Sequence, residues 1–166
     1  MELENPPLAA GLVDPDVALR VPGQRRELGE HPVAVLGSIA AGGVVGSLAR
    51  YGLGVVLPRD PGGWPWATWG INTTGCLLIG VLMVLLTDVW AGQRLLRLFL
   101  GVGVLGGFTT FSTAMIDVQQ LIAEGAAGLG LLYLVGTVTA AMVAVILGSV
   151  LTRWALGVAQ REGKRP

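Results

Sequence analysis

One cysteine and one histidine stand in 166 residues. A single thiol, Cys76, excludes an intrachain disulfide and any cysteine cluster for a metal within one chain. His31 precedes the first long apolar run and reads as an exposed residue at its edge rather than as a catalytic base. Charge is scarce as well. Asp, Glu, Lys and Arg make up 13 % and sum to zero, which leaves no bulk attraction to nucleic acid or to lipid headgroups. Asp117 is the only carboxylate beside an apolar stretch, with no embedded histidine or lysine near it. General acid–base chemistry and metal-assisted hydrolysis therefore have almost nothing to work with. Neither an enzyme nor a nucleic-acid binder is expected. Residues 1–30 do not read as a secretory signal, since they lack a basic start followed by a short apolar core.

Apolar length is what the chain has in abundance. Hydrophobic residues make up 52 % and the mean hydropathy is +0.67. Charge-free stretches cover residues 61–87, 98–116 and 125–152, and a fourth, 33–49, continues past Arg50 to Leu57. These lengths approach or exceed the ~18–20 apolar residues that cross a hydrocarbon layer about 30 Å thick. Four such runs predict an all-α integral membrane protein with four transmembrane helices, near residues 33–57, 66–86, 98–121 and 128–154. Residues 1–30, with six acidic residues and four prolines, are too polar to bury a core and are expected as a disordered tail. Residues 31–154 form the membrane domain and 155–166 a short basic tail. Trp64, Trp66 and Trp69 cluster at the start of the second span, where indole rings favour the headgroup boundary. By alternation of the spans, nine Lys and Arg fall on the side of both termini and Arg59 alone on the other. That bias predicts cytoplasmic termini.

Polar groups inside the spans are the candidates for function. Arg50 lies toward the end of span one, where it either snorkels to the interface or serves an anion or a structural partner. Asn72 lies in span two. Its amide needs a partner in hydrocarbon, so it faces a helix interface as packing glue or a pathway in which its NH₂ donates to an anion. Span three carries Gly106-Gly107-Phe108-Thr109-Thr110-Phe111-Ser112-Thr113 near its middle. Paired glycines followed by four hydroxyl residues make a poor helix interior, so a break is expected there. Unwound backbone at that depth must be buried in protein or line a cavity, and such breaks commonly coordinate ions through freed carbonyls.

At these residues the chain resembles the CrcB/Fluc family of small fluoride channels. The resemblance rests on residues 42–51, on Asn72 through Gly80 and on residues 106–113, and extends over all four spans. It implies an antiparallel dimer in the membrane lipid, with fluoride pathways at the subunit interface and passive fluoride efflux that protects the cell. It also implies a structural sodium ion (Na+) at the dimer centre, held by the backbone carbonyls of Gly106 and Thr109. The family's embedded arginine matches Arg50 and its pore amide Asn72. Phe111 matches the first of two phenylalanines that present ring edges to the anion, Ser112 follows it, and Thr137, four residues after Tyr133, matches a span-four hydroxyl.

The chain departs from the family at Ala114, where a second phenylalanine is usual. Together with the one-sided charge, which suits a single insertion direction, this predicts a heterodimer with a homologous subunit of opposite orientation, located in the plasma membrane. Two other classes stay open at this level. One is a small dimeric secondary transporter exporting a cation or drug, dependent on Asp117 and a proton gradient, and the other is a membrane scaffold.

Overall fold

The computed structural model describes residues 32–90 and 92–162, all helices and short connections. Helix α1 spans Pro32–Val56, α2 Trp66–Asp88 and α5 Ala127–Glu162. The third span comes in two pieces. Its first piece, α3, covers residues 94–108 and winds through an α-turn (Arg94–Arg97), a π-helical stretch (Leu98–Leu105) and a last turn (Gly106–Phe108), while α4 covers Phe111–Ala123. Among the described residues, four spans are long and apolar enough to cross a bilayer. At 1.5 Å per residue, the 23-residue α2 is about 35 Å long, enough for the ~30 Å hydrocarbon layer. The chain is a multi-pass membrane protein, as its sequence predicts. The expected tail at 1–30 and residues 163–166 lie outside the described residues. Residues 155–162, expected as tail, instead continue α5.

Residues 35–166 form one unit; of the other, residues 1–34, only 32–34 are described. Within the larger unit, small residues set the packing. A Cβ on Gly80 would overlap the Val145 carbonyl, and one on Gly148 the Leu77 carbonyl, so α2 and α5 touch backbone to backbone. Likewise Gly42 and Gly46 of α1 lie on the Phe99 and Val104 carbonyls of α3. Apolar burial does not draw helices together in lipid, so contact of this closeness supplies the attraction. Outward residues such as Val44, Leu48, Leu131, Val135 and Ile146 are exposed, as a lipid-facing surface requires. Gly148→Ala is expected to destabilise the fold by about 1–3 kcal/mol through overpacking. Thermal aggregation of detergent-purified protein checks this, with Gly54→Ala, which meets open space, as the neutral control.

Two connections are tightly specified. In residues 60–63 the Gly63 amide donates to the Asp60 carbonyl at 2.9 Å, with Pro61 second and Gly62 at φ +69° third, the pattern of a type II turn. At the end of α4, Gly125 at φ +81° donates to the Ile122 carbonyl and Ala126 to the Leu121 carbonyl, a Schellman closure. A clasp joins these two connections. Glu124 Oε2 accepts from Arg59 Nη2 at 2.7 Å and from the Gly62 amide at 2.6 Å, while Arg59 Nη1 donates to Gln120. Arg59, the lone basic residue of its side, is thus neutralised by Glu124.

Candidate functional site

The break falls at Thr109 and Thr110, both extended, with φ −77°, ψ 155° and φ −151°, ψ 121°. The break lies inside the expected run 106–113, and within that run Gly106 and Gly107 remain helical. Gly107 serves close approach instead, since a Cβ there would come within 2.6 Å of the Gly43 carbonyl. Two β-branched threonines favour extended backbone, and their hydroxyls offer the chain alternatives to helical bonds.

Side chains take over the amides that a continuous helix would have used. Thr110 N–H donates to Asn72 Oδ1 and Asn72 Nδ2 donates back to the Thr110 carbonyl, each at 2.8 Å. The carboxamide thereby pairs with both backbone groups of one residue, as the opposite residue of a neighbouring strand would. Thr110 Oγ1 in turn accepts from the Thr113 amide at 3.2 Å and caps α4. A helix would have directed the Thr110 and Thr113 amides to the carbonyls of Gly106 and Thr109. Both oxygens therefore lose their helical partners, as do the carbonyls of residues 107 and 108 at the same end. Gly106 is exposed, with open space where a side chain would stand. Gly75 of α2 lets the break settle close, because a Cβ there would overlap Thr109 Cγ2.

A groove of about 390 Å³ runs beside the break, with Asn72, Cys76, Thr110, Phe111, Tyr133 and Thr137 among its lining residues. Phe111 is 74 % exposed and Ser112 is exposed next to it, with its hydroxyl 3.3 Å from Thr110 Oγ1. Asn72 is buried. One of its two amide hydrogens is committed to Thr110, which leaves the other available in the groove. The groove thus unites Asn72, Phe111 and Thr137 beside Thr109 and Ser112. Arg50 is half-buried on α1 and is not among the groove's lining residues.

A buried polar pair goes beyond what the sequence paired. Asp117, 7 % exposed, accepts from the Tyr133 hydroxyl at 3.3 Å. The Thr68 and Thr137 hydroxyls lie against the same phenol, although Thr137 Oγ1 stops short of a well-formed hydrogen bond. An acid in an apolar span has to find a hydrogen-bonding partner, and that requirement was the available signal. Which span supplies the partner is a matter of packing. Trp64 stands edge-to-face on Tyr133, ring centroids 5.4 Å apart. Among the described residues no three His, Cys, Asp or Glu side chains converge on a metal site, so a cation at the break would meet carbonyl oxygen.

Comparison with known proteins agrees with this architecture. The family described as CrcB-like protein, Camphor Resistance (CrcB), matches residues 38–149. Fluoride-specific ion channel FluC 2 of Nocardia farcinica is 52 % identical over 128 residues, 77 % of this chain and 91 % of the relative. FluC 2 of Streptomyces avermitilis is 45 % identical over 75 % of this chain and 78 % of its own. FluC of Rhodospirillum centenum is 42 % identical over 72 % and 95 %. The matched region contains the Asn72–Thr110 pair and the broken third span, and the chain belongs to the CrcB-like family.

Proposed function

We propose that this chain is a subunit of a fluoride-selective channel in the plasma membrane, giving passive efflux that protects the cell from fluoride. The observation that carries the proposal is the break in span three, where carbonyls without helical partners lie next to a groove that offers hydrogen-bond donors. Fluoride is small and strongly hydrated, so a selective path has to replace its water with donors. The second Asn72 amide hydrogen and the hydroxyls of Thr137 and Ser112 are such donors, and the positive edge of the Phe111 ring adds a weaker attraction. The first-turn amides of Phe111 and Ser112 begin a helix whose dipole favours an anion. Arg50, without a hydrogen bond or ion pair among the described residues, supplies positive charge from α1. The names of the relatives speak for a channel rather than a cation or drug exporter.

The carbonyls of Gly106 and Thr109 suit a hard cation, which takes oxygen ligands, and sodium is the ion proposed for them. When bound, it supplies fixed positive charge that raises the local potential for anions. Gly106 faces open space on this subunit, which suits a site completed by a second subunit. That partner is proposed to be homologous and inserted in the opposite direction. Ala114, which lines the groove and is buried, leaves this chain with one phenylalanine at the pathway. Its basic residues, nine on the side of the termini against Arg59 on the other, favour one orientation with cytoplasmic termini. A fluoride electrode reading efflux from liposomes tests both parts. Efflux is expected when the chain is co-expressed with a homologous subunit and is expected to be small when it is reconstituted alone. Strong efflux from the chain alone would overturn the heterodimer and keep the channel; no efflux in either arrangement would overturn the channel.

A further inference from the structure

The end of α4 is tied to the α1–α2 connection by hydrogen bonds that hold more than the connection itself. Asp117, Gln120, Leu121 and Glu124 follow one another at helical spacing, so they lie along one side of α4 and its cap. Gln120 and Glu124 hold Arg59, and Glu124 also accepts from the Gly62 amide at 2.6 Å. Two residues further on, Trp64 stands edge-to-face on Tyr133 and packs against the cluster of Ala114, Leu121 and Tyr133. Tyr133 is wholly buried and donates to Asp117. A relay of contacts thus leaves α4 at Glu124, passes through Gly62, Trp64 and Tyr133, and returns to α4 at Asp117.

This relay touches the groove at one point. Tyr133 is among the lining residues, whereas Asp117, Trp64 and Glu124 are not. A carboxyl group close to an anion path has to be kept occupied, because charge on it repels the anion and a buried acceptor without a donor is unfavourable. The Tyr133 hydroxyl does this for Asp117, and the Thr137 hydroxyl of the groove lies against the same phenol. Only packing keeps the Tyr133 ring in place, and Trp64 supplies that packing from the α1–α2 connection. The connection is pinned in turn by Glu124. The Arg59 and Glu124 side chains are 17 % and 33 % exposed, so their ion pair adds little stability of its own. What Glu124 contributes is an acceptor that fixes two donors of the connection at once.

We propose that Glu124 is a positioning residue for fluoride passage: by accepting from Arg59 and Gly62 it seats Trp64 on Tyr133, and so keeps Tyr133 on Asp117 at the wall of the groove. The proposal rests on the channel reading above and adds to it a residue outside the groove. Glu124→Ala removes the acceptor and should slow fluoride efflux from liposomes about tenfold. Glu124→Gln keeps an acceptor for the Gly62 amide and Arg59 and should stay within about twofold of wild type. The channel is to be reconstituted with its partner subunit wherever efflux requires one. The second measurement reads Tyr133 directly. The chain has two tyrosines, so fluorotyrosine labelling of this chain gives two ¹⁹F resonances, which Tyr133→Phe assigns. The Tyr133 resonance, which senses the Trp64 ring, should move in Glu124→Ala and stay in place in Glu124→Gln. That of the exposed Tyr51 should stay in both. A role confined to stability would leave the Tyr133 resonance of the folded channel unmoved. If Glu124→Ala fails to assemble, Arg59→Ala opens the clasp from the other side and is read by the same efflux and resonance. Three results overturn the proposal and leave the channel reading intact. They are efflux from the opened clasp within about twofold of wild type or faster, slow efflux with an unmoved Tyr133 resonance, and Glu124→Gln as slow as the opened clasp. Absence of efflux from the wild type, alone and paired, overturns both.

Discussion

Asn72→Ala should all but eliminate fluoride efflux, by at least ~100-fold, and should also lower thermal stability. The two effects have separate origins. Asn72 holds both the N–H and the carbonyl of Thr110 at 2.8 Å, in a place where Asn72 and Thr110 are 9 % and 8 % exposed. Truncation leaves two buried backbone groups unpaired, at about 1–3 kcal/mol each. Part of that is recovered if Thr110 returns to helical geometry, but doing so would give its amide back to the Gly106 carbonyl and close the break. The remaining amide hydrogen of Asn72 is lost as well. Asn72→Asp removes the donor with little change of shape. It keeps an acceptor for the Thr110 amide, sets a carboxylate oxygen against the Thr110 carbonyl and places negative charge where an anion would pass. Its efflux is expected to be as low as that of Asn72→Ala. Electrode recording on liposomes measures efflux, and unfolding of purified protein followed by loss of monodispersity measures stability. Full efflux from Asn72→Ala would sink the role given to the Thr110 pairing.

Phe111→Ala should separate function from stability in the other direction. The ring is 74 % exposed within this chain, so its removal forfeits little packing inside the subunit. A surface truncation of this kind lies within about 0.5 kcal/mol of neutral. Its efflux should nevertheless fall by ~100-fold, because the ring edge is an attraction for the anion that aliphatic neighbours in the groove do not supply. Phe111→Leu retains apolar area without the aromatic quadrupole and is expected to be about as inactive. Unchanged thermal stability with lost efflux is the expected pair of results. Retained efflux in Phe111→Leu would mean that the ring contributes bulk and no electrostatic attraction.

Clear sequence signals located these residues without explaining their arrangement. The run of glycine, threonine and serine at 106–113 marks the broken region because so many poor helix formers in an apolar span conflict with its length. The position of the break within that run was not legible. Glycine is weak in a helix when judged by local propensity alone, but Gly107 is kept helical by its approach to Gly43, and the extended pair is Thr109-Thr110. The same limit holds for Asp117. One acid in a span announces a partner, and only packing of α4 on α5 selects Tyr133. The π-helical stretch Leu98–Leu105 has no sequence signature, because ordinary apolar residues compose it and its winding follows from contacts along the helix.

By itself the sequence determined that the chain crosses a membrane four times in helices. Segment length, apolarity and the need to satisfy every backbone group within lipid are local properties. It also marked Asn72, Phe111 and the hydroxyl cluster of span three as the polar groups that require an explanation. The tertiary structure alone decided that Asn72 pairs with the N–H and carbonyl of Thr110, that Trp64 packs edge-to-face on Tyr133, and that Arg59 is held by Glu124. Each of these joins residues tens of positions apart. Their meeting depends on how closely glycine lets two backbones approach, and so emerges only when the helices are packed.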